Sequence, residues 1–226
     1  MADRRVIKIG LTIFRKDFRS ELRTRYALNA LVMFVVTTLS IILFAIGNES
    51  APPEILCGIL WIIIFFSTMS GLSRTFVSEE ERGTVMTLQL IAQPLMIYFG
   101  KFLFNLILLT ALNIFTIILY LIVISNFVIH TYSIFFLTVI LGTLGLASAA
   151  TIIAAIISKA NTKGTLYPVL SFPILLPLLL TVINATKMAA EGASFMEAIG
   201  EFQVLVSYFI VLTTISYLVF DFIWKE

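Results

Sequence analysis

Residues 79–84 read Glu-Glu-Glu-Arg-Gly-Thr, the densest group of chemically able side chains in this 226-residue sequence. Adjacent carboxylates can serve as metal ligands, as acid–base groups or as a charged surface for a partner. The first two uses need companions that the sequence does not supply. His130 is the only histidine and Cys57 the only cysteine, and neither neighbours the acidic run. No nucleophile–base pairing or metal-ligand spacing is visible, and Cys57 reads as a small buried hydrophobe. No G-x-x-x-x-G-K-[ST] pattern occurs, so ATP hydrolysis by a P-loop route is excluded. The chain reads as a non-enzyme, and Glu79, Glu80, Glu81, Arg82, Gly83 and Thr84 read as a contact surface.

The local pattern says how that surface is presented. Ser78 is placed to cap a helix N-terminus, with the three glutamates complementing its dipole. Gly83 reads as a flexible point. Val85, Leu88, Ile91 and Ala92 recur at helical spacing, and Pro94 closes the helix. The expectation is a short helix over about 78–92, lying along the membrane with its apolar side beneath.

The elements around it are set by hydropathy. Apolar windows run at 26–46, 54–77, 102–124, 133–157, 166–185 and 202–223. At about 1.5 Å rise per residue, about 20 residues cross a ~30 Å hydrocarbon core, and only closed backbone hydrogen bonding is viable there. The fold class is therefore all-α: one polytopic membrane domain over 1–226, with six transmembrane helices in 26–223. Of the 15 Lys and Arg, all except Lys187 fall on one side if both termini are cytoplasmic. The small net charge of +2 hides this asymmetry, which points to topology and lipid headgroups rather than to nucleic acid. Arg74, Lys101 and Asp221 sit at window ends, where they are expected to snorkel.

Residues 1–25 form an N-terminal interfacial elbow helix in this reading. Ile7, Leu11, Phe14, Phe18 and Leu22 share one face, while Arg15, Lys16, Arg19 and Arg23 lie elsewhere. Its apolar stretch does not resemble a cleavable signal peptide. Pro168, Pro173 and Pro177 each remove a backbone bond, so the fifth span should be kinked or broken. In the fourth span Gly145 and Ala149 permit close approach, either inside the bundle or across a dimer seam. Residues 186–201 read as an outer connection, weakly amphipathic.

The segment 74–101 resembles the coupling region of type-2 ABC exporter permeases. The matching features are the acidic run Glu79–Glu81, Arg82-Gly83-Thr84, a Leu-rich helix with Leu88 and Leu90, Pro94, and Gly100-Lys101. Met86 stands where many relatives carry an acidic residue. Within that superfamily the chain resembles the B subunit of the cytochrome c maturation system, the heme exporter protein B family. Phe14-Arg15-Lys16-Asp17, Glu21-Leu22-Arg23, Gly58-Ile59-Leu60-Trp61, residues 72–76 and the Pro168/Pro173/Pro177 pattern carry this likeness. Gly58, Trp61, Pro94, Lys101 and the three prolines are thereby family-motif positions.

The resemblance implies a bacterial inner-membrane permease subunit, as a homodimer, working with a separate A-type ABC ATP-binding subunit. It also implies other cytochrome c maturation membrane subunits and a heme chaperone as partners. No cofactor is held permanently; heme is the implied substrate, and ATP acts through the partner. Either heme moves, or a heme-loaded chaperone is released. His130, in an outer loop, is the one candidate heme contact. Two other functions compete: a type-2 exporter of a drug, lipid or glycan, and a membrane scaffold that transports nothing.

Overall fold

In the computed structural model, which describes residues 2–47, 51–159 and 163–225, the chain is helical with no strand among those residues. The helices are α1 (Ala2–Thr24), α2 (Tyr26–Ile46), α3 (Pro53–Leu72), α4 (Arg74–Glu81), α5 (Val85–Ile91), α6 (Pro94–Val123), α7 (Tyr132–Ser158), α8 (Lys163–Glu191) and α9 (Ile199–Lys225). Six stretches are long and apolar enough to cross a membrane: Leu28–Ile46, Pro53–Glu81, Pro94–Val123, Tyr132–Ser158, Val169–Glu191 and Ile199–Trp224. An even number of spans puts both termini at one end, which also holds α4, α5 and most of the cations. We call it the basic end.

The helix α1 lies across this end and packs on α6. Its contact face is Ile9, Gly10 and Ile13, not the predicted stripe; Ile7, Leu11, Phe18 and Leu22 remain exposed. In a membrane that stripe faces lipid, which suits an interfacial helix. Gly10 and Gly100 let the two backbones meet. A Cβ at Gly100 would stand 2.7 Å from the Gly10 carbonyl oxygen. Arg25, in a left-handed conformation, turns the chain from α1 into α2.

At the centre is α7, the most enclosed span, packed by α3, α4, α6, α8 and α9. Small residues make this crowding feasible, because lipid offers no hydrophobic drive between helices and close packing must hold them. Gly145 faces Leu178 of α8 and Tyr208 of α9, and Ala149 is buried. The small-residue stripe therefore serves internal packing. Buried side-chain hydrogen bonds stitch the same helices: Asn105 to Thr151 at 2.9 Å, Asn113 to Thr143 at 2.9 Å, and Tyr120 Oη to the Leu56 carbonyl at 2.7 Å. Each such bond is worth about 0.6 kcal/mol.

The structure narrows one expectation and corrects another. The fifth span is not broken: α8 runs unbroken past Pro168, Pro173 and Pro177 to Glu191. Tyr208 Oη of α9 donates to the Ile174 carbonyl at 3.0 Å, fastening α8 between Pro173 and Pro177. The outer connection is not 186–201 but the short turn 192–198, since α8 and α9 extend towards each other.

Candidate functional site

The acidic run closes a helix instead of opening one. Only Ser73 separates α3 from α4, and Ser78 is an interior residue of α4, so it caps nothing. The predicted single helix over 78–92 is two helices joined by Arg82-Gly83-Thr84. The joint is a helix C-cap. Gly83 N–H donates to the Glu80 carbonyl at 3.1 Å, and Thr84 N–H to the Glu79 carbonyl at 3.0 Å. That pair of bonds is the Schellman arrangement, which demands a left-handed residue after the cap. Gly83 supplies it with φ +65°. The glycine is thus a fixed corner and not a flexible point.

Carboxylates at a helix C-terminus oppose the dipole. Cations answer each one. Glu81 pairs with Arg74 at 2.7 Å, both exposed, and Glu80 lies 3.4 Å from Lys159 at the end of α7. Glu79 turns inward and is 5% exposed. Its Oε1 accepts from Lys101 Nζ at 2.7 Å and from Lys16 Nζ at 2.6 Å, while the Thr84 hydroxyl donates to Oε2.

Lys101 does not snorkel. It is 2% exposed and lies in the second turn of α6. Its ammonium donates to Glu79 Oε1 and to the Thr75 carbonyl at 3.1 Å, and it forms an ion pair with Asp17 Oδ2 at 3.0 Å without a hydrogen bond to that oxygen. Lys16 also pairs with Asp17 at 3.2 Å. Burial works against the charge of Lys16, but Asp17 and Glu79 outweigh it and hold its pKa above the ordinary lysine value. Two ammonium groups and two carboxylates thus form a neutral knot that ties α1, α4 and α6 together. Beneath it the Thr75 hydroxyl donates to Asn105 Oδ1 at 2.8 Å, and Asn105 passes the connection to Thr151 of α7.

The helix α5 has two faces. Val85, Leu88 and Ala92 are buried, while Met86, Leu90 and Ile91 are 77%, 87% and 65% exposed. Gln89 Nε2 donates to the Trp224 carbonyl at 2.6 Å, fastening α5 to the last turn of α9. Trp224 in turn stacks on Phe220 and meets Phe76 of α4. Pro94 then starts α6 at its first turn, where its missing N–H is harmless.

Trp61, Gly58 and His130 lie apart from this end. Trp61 is fully buried, and its Nε1 donates to Thr186 Oγ1 of α8 at 2.8 Å. Gly58 touches nothing that would bar a side chain, since no atom lies within 4 Å of its would-be Cβ. His130 is exposed in the loop before α7; its N–H bonds the Ala189 carbonyl at 3.1 Å, and its ring lies beside Gly192. Among the described residues no three His, Cys, Asp or Glu side chains converge to hold a metal ion.

Sequence reasoning missed Thr75, Asn105, Gln89 and Trp224 and misjudged Lys101. A signal did exist for two of them. Lys101 and Asn105 are four apart in a helix that Pro94 opens, so they share a face, and an acidic run precedes them.

Among the described residues, six apolar spans, an interfacial first helix and a central span built of small residues define an all-helical, multi-pass membrane protein. Residues 8–222 match the CcmB protein family, and the chain belongs to that family. Membership makes it a permease of the heme-exporter type in c-type cytochrome biogenesis. A comparison with curated proteins found no match.

Proposed function

We propose that this chain is the membrane half of an ATP-driven complex, with the basic end in the cytoplasm of a bacterial inner membrane. A separate A-type ATP-binding subunit docks on α5 and on the Schellman corner before it. The observation that carries this reading is the exposed face of Met86, Leu90 and Ile91, on a helix whose opposite face is locked into the bundle. An apolar patch of this kind, rimmed by Glu81 and Arg82, suits a protein surface better than water. Closure of the ATPase would push a rigid corner, and the knot of Glu79, Lys101, Lys16 and Asp17 would move α1, α4 and α6 as one body. Of the acidic run, Glu80, Glu81 and Arg82 are the residues that can face the partner; Glu79 works inside.

The cargo is heme or a heme-loaded chaperone, used in concert with other cytochrome c maturation membrane subunits. Heme is a substrate here and not a resident cofactor, with His130 as the candidate contact at the outer end. Six spans make half of a usual transport path, so the working unit is a homodimer.

Membranes from a strain lacking this chain test the cytochrome assignment. Heme staining should show c-type cytochromes lost while b-type heme persists; retained c-type cytochromes would reject it. Co-purification tests the docking face. Leu90→Asp with Met86→Asp should leave the permease folded but abolish retention of the ATPase, and unchanged retention would move the contact elsewhere.

A further inference from the structure

A cavity of ≈ 700 Å³ opens at the basic end between α1, the start of α2, the α3–α4 junction and α6. That is the size of a small-molecule site. Most charge in its wall is already matched. Lys101 and Lys16 balance Glu79 and Asp17, and Arg74 balances Glu81. Two lining groups of opposite sign are left over. One is the exposed Arg82, whose Nη1 has a single long contact, 3.5 Å, to Ser20 Oγ. The other is Glu21, whose Oε1 accepts the Leu28 N–H at 3.0 Å, with Oε2 unengaged among the described residues. The residual lining is zwitterionic.

The cavity also changes with depth. Beyond the charged rim it is walled by Ala30, Phe104 and Leu108. Leu108 lies seven residues past Lys101 on α6, about 10 Å deeper by helical rise. On the flank stands α2, among the least enclosed spans, with Ala30 exposed. A ligand that satisfies all of this carries an anion and a cation close together on an apolar body, and it arrives sideways from the membrane. A purely anionic headgroup would meet Arg82 but also the Glu21 carboxylate. A soluble zwitterion would leave the Phe104–Leu108 wall uncovered.

We propose that this cavity is a binding site for an amine-bearing zwitterionic phospholipid, its phosphate on Arg82 and Ser20, its ammonium on Glu21, and its chains along Phe104 and Leu108. The site shares Arg82 with the rim of the proposed ATPase-docking face, and its test is read on the purified chain without that partner. A phosphoethanolamine lipid bound there would fill the gap between α2 and α6 and fix the angle of the elbow.

The purified full-length chain, equilibrated in an equimolar phosphatidylethanolamine–phosphatidylglycerol mixture, tests this by mass spectrometry of the retained lipid. The expected result is several-fold enrichment of phosphatidylethanolamine over the mixture. Arg82→Gln and Glu21→Gln should each return the ratio to that of the mixture. Ala30→Trp, which obstructs the apolar mouth and alters no charge, should do the same. If Glu21→Gln unfolds through loss of the Leu28 contact, the other two variants decide. No enrichment, enrichment of phosphatidylglycerol, or an unchanged ratio in Arg82→Gln and Ala30→Trp would overturn the proposal. So would displacement of the lipid by soluble phosphoethanolamine at matched concentration.

Discussion

The ring of Trp61 occupies the space that a side chain at Gly142 would need. A Cβ there would lie 2.5 Å from Trp61 Cη2 and 3.0 Å from a Val182 methyl. This contact joins α3, α7 and α8 in the core of the bundle, and it gives a physical reason for Trp61 within the Gly-Ile-Leu-Trp element.

Gly142→Ala should therefore destabilise by overpacking, by about 1–3 kcal/mol. Trp61→Phe should cost less by itself, losing the Thr186 bond at about 0.6 kcal/mol along with part of the ring contact. The smaller ring should also rescue Gly142→Ala in part. Thermal melting of the four proteins of this cycle is the measurement, and strictly additive shifts would refute the contact.

Glu79→Gln leaves the Lys101 ammonium buried with one counter-charge removed. Breaking a buried pair costs about 3–5 kcal/mol. Lys101→Met should cost a similar amount for the converse reason. The double variant should be milder than the two losses added together, because Lys16 and Asp17 still balance each other at 3.2 Å. Melting temperatures in detergent would reveal the coupling. Additive losses would mean that Glu79 and Lys101 act separately.

Gly83→Ala should destabilise the corner by about 1–2 kcal/mol, the cost of a left-handed L-residue. No atom lies within 4 Å of the would-be Cβ, so the cost is one of backbone alone. Gly83→Asn should accordingly be milder than Gly83→Ala, since asparagine tolerates that conformation. Equal loss in both would point to a steric role instead.

His130→Ala should leave the outer loop in place, because its anchors are backbone bonds: His130 and Thr131 N–H groups both donate to the Ala189 carbonyl. A fall in c-type heme staining with an unchanged melt would assign the imidazole to heme. Normal staining would dismiss it as a ligand.

The six spans were legible because each apolar window is long and nearly free of charge, and the structure differs mainly at their ends. Two of those ends turn on charged residues. The second window stops short of the acidic run, yet α3 and α4 together carry the span to Glu81, and the third opens after Lys101, yet α6 starts at Pro94. What permits this is pairing across helices, invisible in any one window. Ser78 looked like a cap because serine before acids usually is one. The Schellman bonds at Gly83 reverse that reading, and the signal was present in the glycine itself. The exposed stripe of α1 was read correctly as apolar, but its contact face of Ile9, Gly10 and Ile13 depends on Gly100 approaching it, a relationship between distant segments.

The order in which the charged knot is laid down along the chain bears on how such a protein is made. Asp17 and Lys16 come first, Glu79 next and Lys101 last. When the third span leaves the insertion machinery, every counter-charge for its lysine already exists. The ammonium can go straight from the translocation channel to its partners, without lingering as a lone charge in lipid. The central span α7 follows immediately, and Thr151 finds Asn105 already fixed on α6. Synthesis from N- to C-terminus therefore sets the charged knot first, and the basic end is sealed only when Trp224, in the last turn of α9, reaches Gln89.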